Sequence, residues 1–500
     1  MISIKFLPLF VIIPLGSAFI LNIFERKVKL LTDLIASIAT GALFVLSILM
    51  FGVKGNYYVG GWPSQFGITL VIDGLSSYML VTINMIAFIA ILFSINYMEK
   101  FTFKSRYYSL LFLMLAGMNG VAITGDIFNM YVFLEIAAIA SYALVGFGGK
   151  AEELEASFKY AVMGTVSSTL ILLGIALIYS QTSALNMAVI GRTINTSESL
   201  SKLALVFLFA GFGLKAAVVP FHAWLPDAHS SAPAPISAIL SGILIKTIGI
   251  YLIARIGFNI FGVSQMFLNV ILIIGALSAI IGAVLATGQT DFKRLLAYSS
   301  ISQVGYILIG VGLGTPLGIM GGLFHLLNHA TFKSLLFLNS GSIEYSTGVR
   351  DLEKMGGLSK CMPVTGVTNL IASMSIAGIP PLNGFWSKLI IFIACIQAGF
   401  LGTAVIVAVI AILTLAYFLK VQKCAFTGDV PPELSETKEA PFFMKTSMIF
   451  LAAMCILLSL IFIVPSLRET VLQPATNVLT SGRTYIDTVL KGQGGIIGAP

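Results

Sequence analysis

Six titratable side chains stand inside stretches of this 500-residue chain that otherwise read as lipid-spanning: Glu135, Lys215, Lys246, His325, His329 and Lys388. A charge at the centre of a membrane helix costs at least roughly 2.5 to 3.5 kcal/mol on insertion scales, so residues kept there are held for a purpose. His325 and His329, with Lys333 one turn further on, recur at i, i+4 and i+8 and share one helical face. His325-Leu326-Leu327-Asn328-His329 lacks the intervening glutamate of a zinc protease and has no evident third ligand, so no metal site is expected. Proton relay fits better, because histidine exchanges protons near neutral pH. A desolvated lysine gives up its proton more readily, and a neighbouring carboxylate restores it. A Glu135 that alternately pairs with and releases Lys215 would therefore switch the lysine between holding and passing a proton, as a proton pump requires. Lys159 and Lys333 also fall inside predicted spans, and for both an ammonium snorkelling to the interface is an equal alternative.

Two interruptions flank the lysines. Pro220 follows Lys215 by five residues, with Pro226 beyond it, and Gly378-Ile379-Pro380-Pro381 precedes Lys388. Proline frees a backbone carbonyl one turn back. Free carbonyls inside a membrane are tolerated where they line protein or water, so each break is expected to hydrate the path beside its lysine.

The composition dictates what must carry these residues. The chain is 57% apolar and only 10% charged, with mean hydropathy +0.98. That excludes a soluble globule, which needs about a quarter charged residues. The net charge of +8 would suggest nucleic acid in a soluble protein, but no basic run interleaves with aromatics here, and no nucleic-acid partner is expected. Cys361, Cys395, Cys424 and Cys455 show no paired spacing for a disulfide framework or metal site. Isolated glycine pairs such as Gly356-Gly357 lack a phosphate-loop context, so no cofactor is expected in this chain.

Stretches long enough to cross about 30 Å of hydrocarbon fall near 4–24, 30–52, 71–97, 106–123, 127–147, 157–180, 202–221, 234–256, 265–287, 294–313, 317–342, 363–399, 401–423 and 446–467. They predict an all-α polytopic membrane protein of about fourteen transmembrane helices, with 363–399 as one broken span. The first, closed by Glu25-Arg26-Lys27, reads as a retained span and not a signal peptide. The odd-numbered loops hold most of the Lys and Arg, whereas the even-numbered ones hold only Lys54, Arg192, Lys202 and Arg255. The positive-inside rule then puts both termini outside a multi-pass inner or plasma membrane protein.

The chain also repeats itself. Glu135–Leu144 resembles Ser299–Leu308, Phe158-Lys159 meets Phe324-His325, and the broken stretch at 363–399 follows the seventh span, with its own prolines, at a similar offset. The expected organisation is an N-terminal unit of three spans (1–97), a five-helix repeat (98–256), a second five-helix repeat (257–424), and a loop, last span and tail (425–500). Five is odd, so the second copy is inverted, a pattern associated with transporters whose sites lie near the midplane.

Several motifs carry a family resemblance. Phe133-Leu134-Glu135-Ile136-Ala137-Ala138, Gly213-Leu214-Lys215-Ala216-Ala217-Val218-Val219-Pro220-Phe221-His222-Ala223-Trp224-Leu225-Pro226-Asp227-Ala228-His229 and Ser241-Gly242-Ile243-Leu244-Ile245-Lys246-Thr247 resemble the antiporter-like membrane subunits. These occur in respiratory complex I (NADH-quinone oxidoreductase), membrane-bound hydrogenases and formate hydrogenlyases, and Mrp-type sodium/proton antiporters. The resemblance continues through His325–Lys333 and Gly378–Lys388 and covers roughly residues 65 to 425. It implies a modulating Glu135–Lys215 pair, a central hydrophilic axis of Lys246 and the two histidines, and Lys388 as the gate to the exit side, with Lys159, His222, Asp227 and Lys333 as accessory residues. One complex I subunit type carries glutamate where Lys388 stands, which argues against that branch. The resemblance further implies no redox chemistry in this chain, other membrane subunits as partners, and protons as the transported ion with sodium as a second candidate. A redox-driven host of complex I or hydrogenase type is slightly favoured over an Mrp antiporter. A stand-alone solute permease and a purely structural role for the buried charges are the alternatives. The segment after the last span is expected to be too short for the long lateral helix of some relatives, and Gly492-Gln493-Gly494-Gly495 reads as disorder or a docking tail.

Overall fold

A computed structural model describes residues 3–23 and 29–490. Glu25-Arg26-Lys27, Lys491 and the Gly492–Gly495 run lie outside the described residues. Helices α1 (Leu9–Ile23) and α2 (Lys29–Leu49) lie at the periphery and expose apolar side chains such as Ile12, Phe19, Leu34 and Ile38. A short antiparallel hairpin follows, β1 (Gly55–Tyr58) pairing β2 (Thr69–Ile72) with Gly55 opposite Ile72. The third predicted span therefore starts later than 71, at α3 (Gly74–Tyr97), where Asp73 forms a capping box with Ser76. Then come α4 (Lys104–Ile123), α5 (Ile127–Val145), α6 (Ala151–Thr182) and the short α7 (Met187–Thr193).

The first interrupted helix is α8 (Ser199–Lys215) followed by α9 (Trp224–Ser231). Lys215 is the last residue of α8 and not a mid-helix residue, because Ala217 takes a left-handed backbone conformation (φ 54°) that ends the helix. The Leu214 carbonyl released by the break accepts a hydrogen bond from Trp224 Nε1 at 3.0 Å. Next are α10 (Ala234–Phe261), α11 (Gln265–Thr287), α12 (Phe292–Gly312) and α13 (Pro316–Thr347). The second interrupted helix is α14 (Pro363–Ala377) and α15 (Asn383–Gln397), with Gly378 at φ 88° ending α14. After these, α16 (Leu401–Val421) and α17 (Phe442–Leu457) complete the bundle.

Eleven of these helical segments are long and apolar enough to cross a membrane. The other three predicted spans fall on the two interrupted helices and on α13, whose His325, Asn328, His329, Lys333 and Asn339 dilute its apolar character. Burial sorts the bundle into shells. α10 is wholly enclosed and α12, α4 and α3 nearly so, whereas α1, α2, α6 and α16 present much of their surface outward. The outward surface is apolar and the polar groups face inward, the arrangement lipid demands.

The described part of the tail is helical. α18 (Gln473–Thr480) and α19 (Gly482–Leu490) fold back onto the chain: Asn259 donates to the Val478 carbonyl at 2.7 Å and Asn56 to the Thr488 carbonyl at 2.8 Å.

Candidate functional site

Lys215 is 1% exposed, and its ammonium lies 3.5 Å from Glu135 Oε1 and 3.1 Å from the Tyr142 hydroxyl. The position is set by three helices: the end of α8 supplies the lysine, α5 supplies Glu135 and Tyr142 two turns apart, and α6 supplies Ser168, which donates to Glu135. A helix C-terminus is also where backbone dipoles favour a cation.

Lys246 is completely buried in α10, at the junction of two π-helical turns, Leu240–Leu244 and Lys246–Ile250. A π-turn widens the helix and releases carbonyls from the regular ladder, which is why such turns recur at functional positions. Lys246 donates to one of these carbonyls, that of Ser241, and the Ser241 hydroxyl lies 2.7 Å from that of Ser300 on α12.

Along α13 the polar row continues. Lys333 donates to the Ser299 hydroxyl. Both ring nitrogens of His329 lack a protein partner, as do both of His229, a buried residue at the end of α9. His325 Nε2 lies 3.1 Å from Gln303 Oε1 and Nδ1 lies 2.9 Å from the Ser387 hydroxyl. Both ring nitrogens of His325 are therefore hydrogen-bonded, one to a side-chain amide and one to a hydroxyl that also lies 3.2 Å from the Gly384 carbonyl. The His325 and His329 ring centroids are 6.5 Å apart, and the Tyr306 ring lies 5.4 Å from His325 on the other side. Lys388 sits 4.8 Å from the same Tyr306 ring. Its ammonium donates to the carbonyls of Ile376 (2.7 Å) and Ala377 (3.4 Å), the orphan acceptors at the end of α14. At this break, then, the lysine itself satisfies the freed carbonyls that were expected to be solvated.

Among the described residues Lys246, Lys333 and Lys388 have no ion-pair partner. Unpaired buried cations are expensive. Three of them beside two unpartnered histidines form a row in which a proton placed on one group is felt by its neighbours.

The structure buries Lys215, Lys246, His325, His329, Lys333 and Lys388, and places Glu135, itself only part-buried, beside Lys215. Lys333 is therefore a member of the buried row, and the snorkelling alternative does not apply to it. Lys159 lies elsewhere: it is 49% exposed and paired with Glu155 at 2.8 Å and Asp227 at 3.2 Å. Asp227 also meets Arg294 at 3.1 Å. These residues line a polar cleft of about 360 Å³ with Asp291 and Arg350, at the end of the bundle that carries the odd-numbered loops. Lys159 is a boundary residue because α6 begins earlier, at Ala151, than the span 157–180. His222 is half-buried in the first break, outside the row. Pro220 and Pro226 flank and open α9, while Pro380 and Pro381 separate α14 from α15.

Three charges assigned to loops are buried: Lys104, which pairs with Asp33 at 2.7 Å, Arg255 and Lys293. Arg255 is buried near the end of α10 and holds Asp73 through both guanidinium nitrogens, at 2.6 and 2.9 Å. Lys293 is 2% exposed, donating to the Ala232 carbonyl at 2.8 Å and pairing with Glu344 at 3.3 Å. Tyr142, Ser168, Ser241, Ser300, Gln303 and Ser387 also belong to the site but carried no charge to betray them. Gln303, in a span that also holds Ser299, Ser300 and Ser302, was the strongest visible signal.

An all-helical membrane bundle with two interrupted helices and an enclosed row of lysines and histidines defines the class of antiporter-like membrane subunits. Residues 124–414 match the family model described as NADH:quinone oxidoreductase/Mrp antiporter, TM, and residues 61–108 match NADH-Ubiquinone oxidoreductase (complex I), chain 5 N-terminus. The chain belongs to this NADH:quinone oxidoreductase/Mrp antiporter family. It is 35% identical to the D-type subunit of the Na(+)/H(+) antiporter of Alkalihalophilus pseudofirmus, over 98% of this chain and 99% of that one. It is also 35% identical to the N-type subunit of the NADH-quinone oxidoreductase of Desulforudis audaxviator, over 86% and 87%. A chain of the membrane-bound sulfane sulfur reductase, an archaeal respiratory membrane complex, superimposes with a TM-score of 0.89 at 30% identity, covering 97% of this chain and 99% of that one. The protein is thus an antiporter-like membrane protein of this family.

Proposed function

We propose that this chain conducts protons along its buried row, with Glu135–Lys215 as the modulating pair, Lys246, His329, His325 and Lys333 as the central axis, and Lys388 as the exit-side gate. The observation that carries this reading is the set of titratable groups in α5, α8, α10, α13 and α15, with the Ser241–Ser300 pair beside Lys246 and with Gln303, Ser387 and the Tyr306 ring beside His325. A stand-alone permease would instead concentrate polar groups at one locus. Both termini lie outside in this reading, supported by the loop charges, and the cleft around Asp227 then opens to the cytoplasm. Two inverted repeats, 98–256 and 257–424, are supported by the paired interruptions α8/α9 and α14/α15.

A redox-driven host is supported by the likeness to the sulfane sulfur reductase chain and to the NADH-quinone oxidoreductase relative. An Mrp-type antiporter host is a second reading, favoured by the end-to-end match to the Na(+)/H(+) antiporter relative. Co-purification separates them: iron–sulfur subunits accompany the chain in the first case and only small membrane proteins in the second. The relay itself is tested with Lys215→Ala and Glu135→Gln in vesicles carrying the assembled complex. Proton transport falls in both variants; unchanged transport with intact assembly overturns the relay.

A further inference from the structure

Glu135 is not the nearest partner of Lys215. The ammonium lies closer to the Tyr142 hydroxyl, at 3.1 Å, than to the carboxylate at 3.5 Å, while the carboxylate is engaged by Ser168. The Ser168 hydroxyl also lies 2.9 Å from the Gly164 carbonyl, and a hydroxyl has one proton to donate. Ser168 can therefore serve Glu135 or Gly164 at a given moment, but not both.

The tyrosine is seated for this position. A Cβ on Gly164 would overlap its hydroxyl, so the absence of a side chain there is what admits it. Its ring packs edge-on against Tyr160 at 4.5 Å, and Tyr160 stacks face to face with Trp224 at 4.2 Å. Trp224 in turn holds the Leu214 carbonyl next to Lys215. The hydroxyl is thus fixed relative to the lysine by the same contacts that close the break in α8.

We infer that Tyr142 is a second partner for Lys215 and that Ser168 selects between it and Glu135; this rests on the proton-conducting reading above. The chemistry of the two partners differs in a way that suits a relay. A carboxylate has only acceptor sites and so strongly favours the ammonium, whereas a phenol accepts from the ammonium and can also donate to the lone pair of the neutral amine. When Ser168 donates to Glu135, the lysine leans to Tyr142 and passes its proton toward Lys246, and the resulting amine accepts a hydrogen bond from the phenol. When Ser168 turns to the Gly164 carbonyl, the freed carboxylate draws the reprotonated lysine back. Tyr142 and Ser168 are positioning residues, since the proton itself moves between the lysines.

The test uses proteoliposomes carrying the complete complex, with proton flux driven by a potassium diffusion potential and read by an internal pH dye. Tyr142→Phe keeps the ring packing and removes the hydroxyl; a hydrogen bond to a charged group is worth enough for a drop of about tenfold in flux. Ser168→Ala slows flux in the same direction, because Glu135 then keeps the lysine. A purely structural tyrosine would not report on its neighbour's charge, so ring-labelled tyrosine infrared spectra give a second readout: one tyrosine band shifts in Lys215→Met and is missing in Tyr142→Phe. If Tyr142→Phe fails to assemble, the infrared shift in Lys215→Met decides, and its absence overturns the inference. Wild-type flux in Tyr142→Phe alongside inactive Glu135→Gln removes Tyr142 from the mechanism and leaves the relay standing. Wild-type flux in all variants, Lys215→Ala included, refutes the relay reading as well.

Discussion

The Arg255–Asp73 pair offers the sharpest quantitative check on how this bundle is held. Arg255, near the end of the enclosed α10, reaches both carboxylate oxygens of Asp73, and both side chains are under 10% exposed. The same guanidinium lies 4.9 Å from the Tyr485 ring of α19 and 5.4 Å from the Tyr251 ring, and donates to the Tyr251 hydroxyl at 3.2 Å. Removing one partner of a buried pair leaves an uncompensated charge, at a cost of about 3 to 5 kcal/mol. Arg255→Met should therefore lower stability by roughly 3 to 5 kcal/mol. Asp73→Asn should cost about as much, since it keeps a capping oxygen for α3 but leaves the buried guanidinium without its counter-charge. The double variant Asp73→Asn/Arg255→Met leaves no bare charge and should recover most of the loss, giving a coupling of at least about 2 kcal/mol in the double-mutant cycle. The assay is denaturant or thermal unfolding of the purified complex in detergent, with limited proteolysis reporting whether α19 is released in Arg255→Met. Additive losses, with the double variant as unstable as the sum of the singles, would refute the pairing argument.

Two further outcomes follow from particular contacts. Lys388→Met strands the Ile376 and Ala377 carbonyls but also removes an unpaired buried cation, so the two effects oppose each other: unfolding of the assembled complex should shift by less than about 3 kcal/mol while proton flux in proteoliposomes stops. By contrast, the Lys360–Asp429 pair is exposed on both sides, and Lys360→Ala should shift stability by less than about 1 kcal/mol, with flux unchanged.

Much of the site was legible because the cost of burying charge is paid by the residue wherever its partner comes from. Lys215, Lys246, His325, His329 and Lys388 stand out in apolar runs for that reason, and all five are interior. The helix breaks were legible from proline and glycine. What they do was not, since the capping of the Leu214 carbonyl by Trp224 and of the Ile376 carbonyl by Lys388 depends on how the chain returns after each break. The loop charges were less transparent. Arg255 and Lys293 sit at span ends, where the sequence offers no distinction between a topogenic charge in water and one folded inward onto Asp73 or Glu344. For Lys159 the sequence left an interfacial ammonium open, and the structure takes that alternative, because α6 begins at Ala151 and its first turns precede the apolar run.

From the sequence alone, the hydropathy determined that the chain lives in lipid, roughly where its helices run, and which ionisable residues stand inside them; these are sums over neighbouring residues, and lipid enforces them locally. Only the tertiary structure decided which residues meet. Lys215 and Tyr142 are 73 residues apart, Ser241 and Ser300 are 59 apart, and Asp73 and Arg255 are 182 apart. A hydrogen bond acts over about 3 Å, and neutral partners such as Tyr142 or Ser168 leave no hydropathy mark strong enough to be read along the chain.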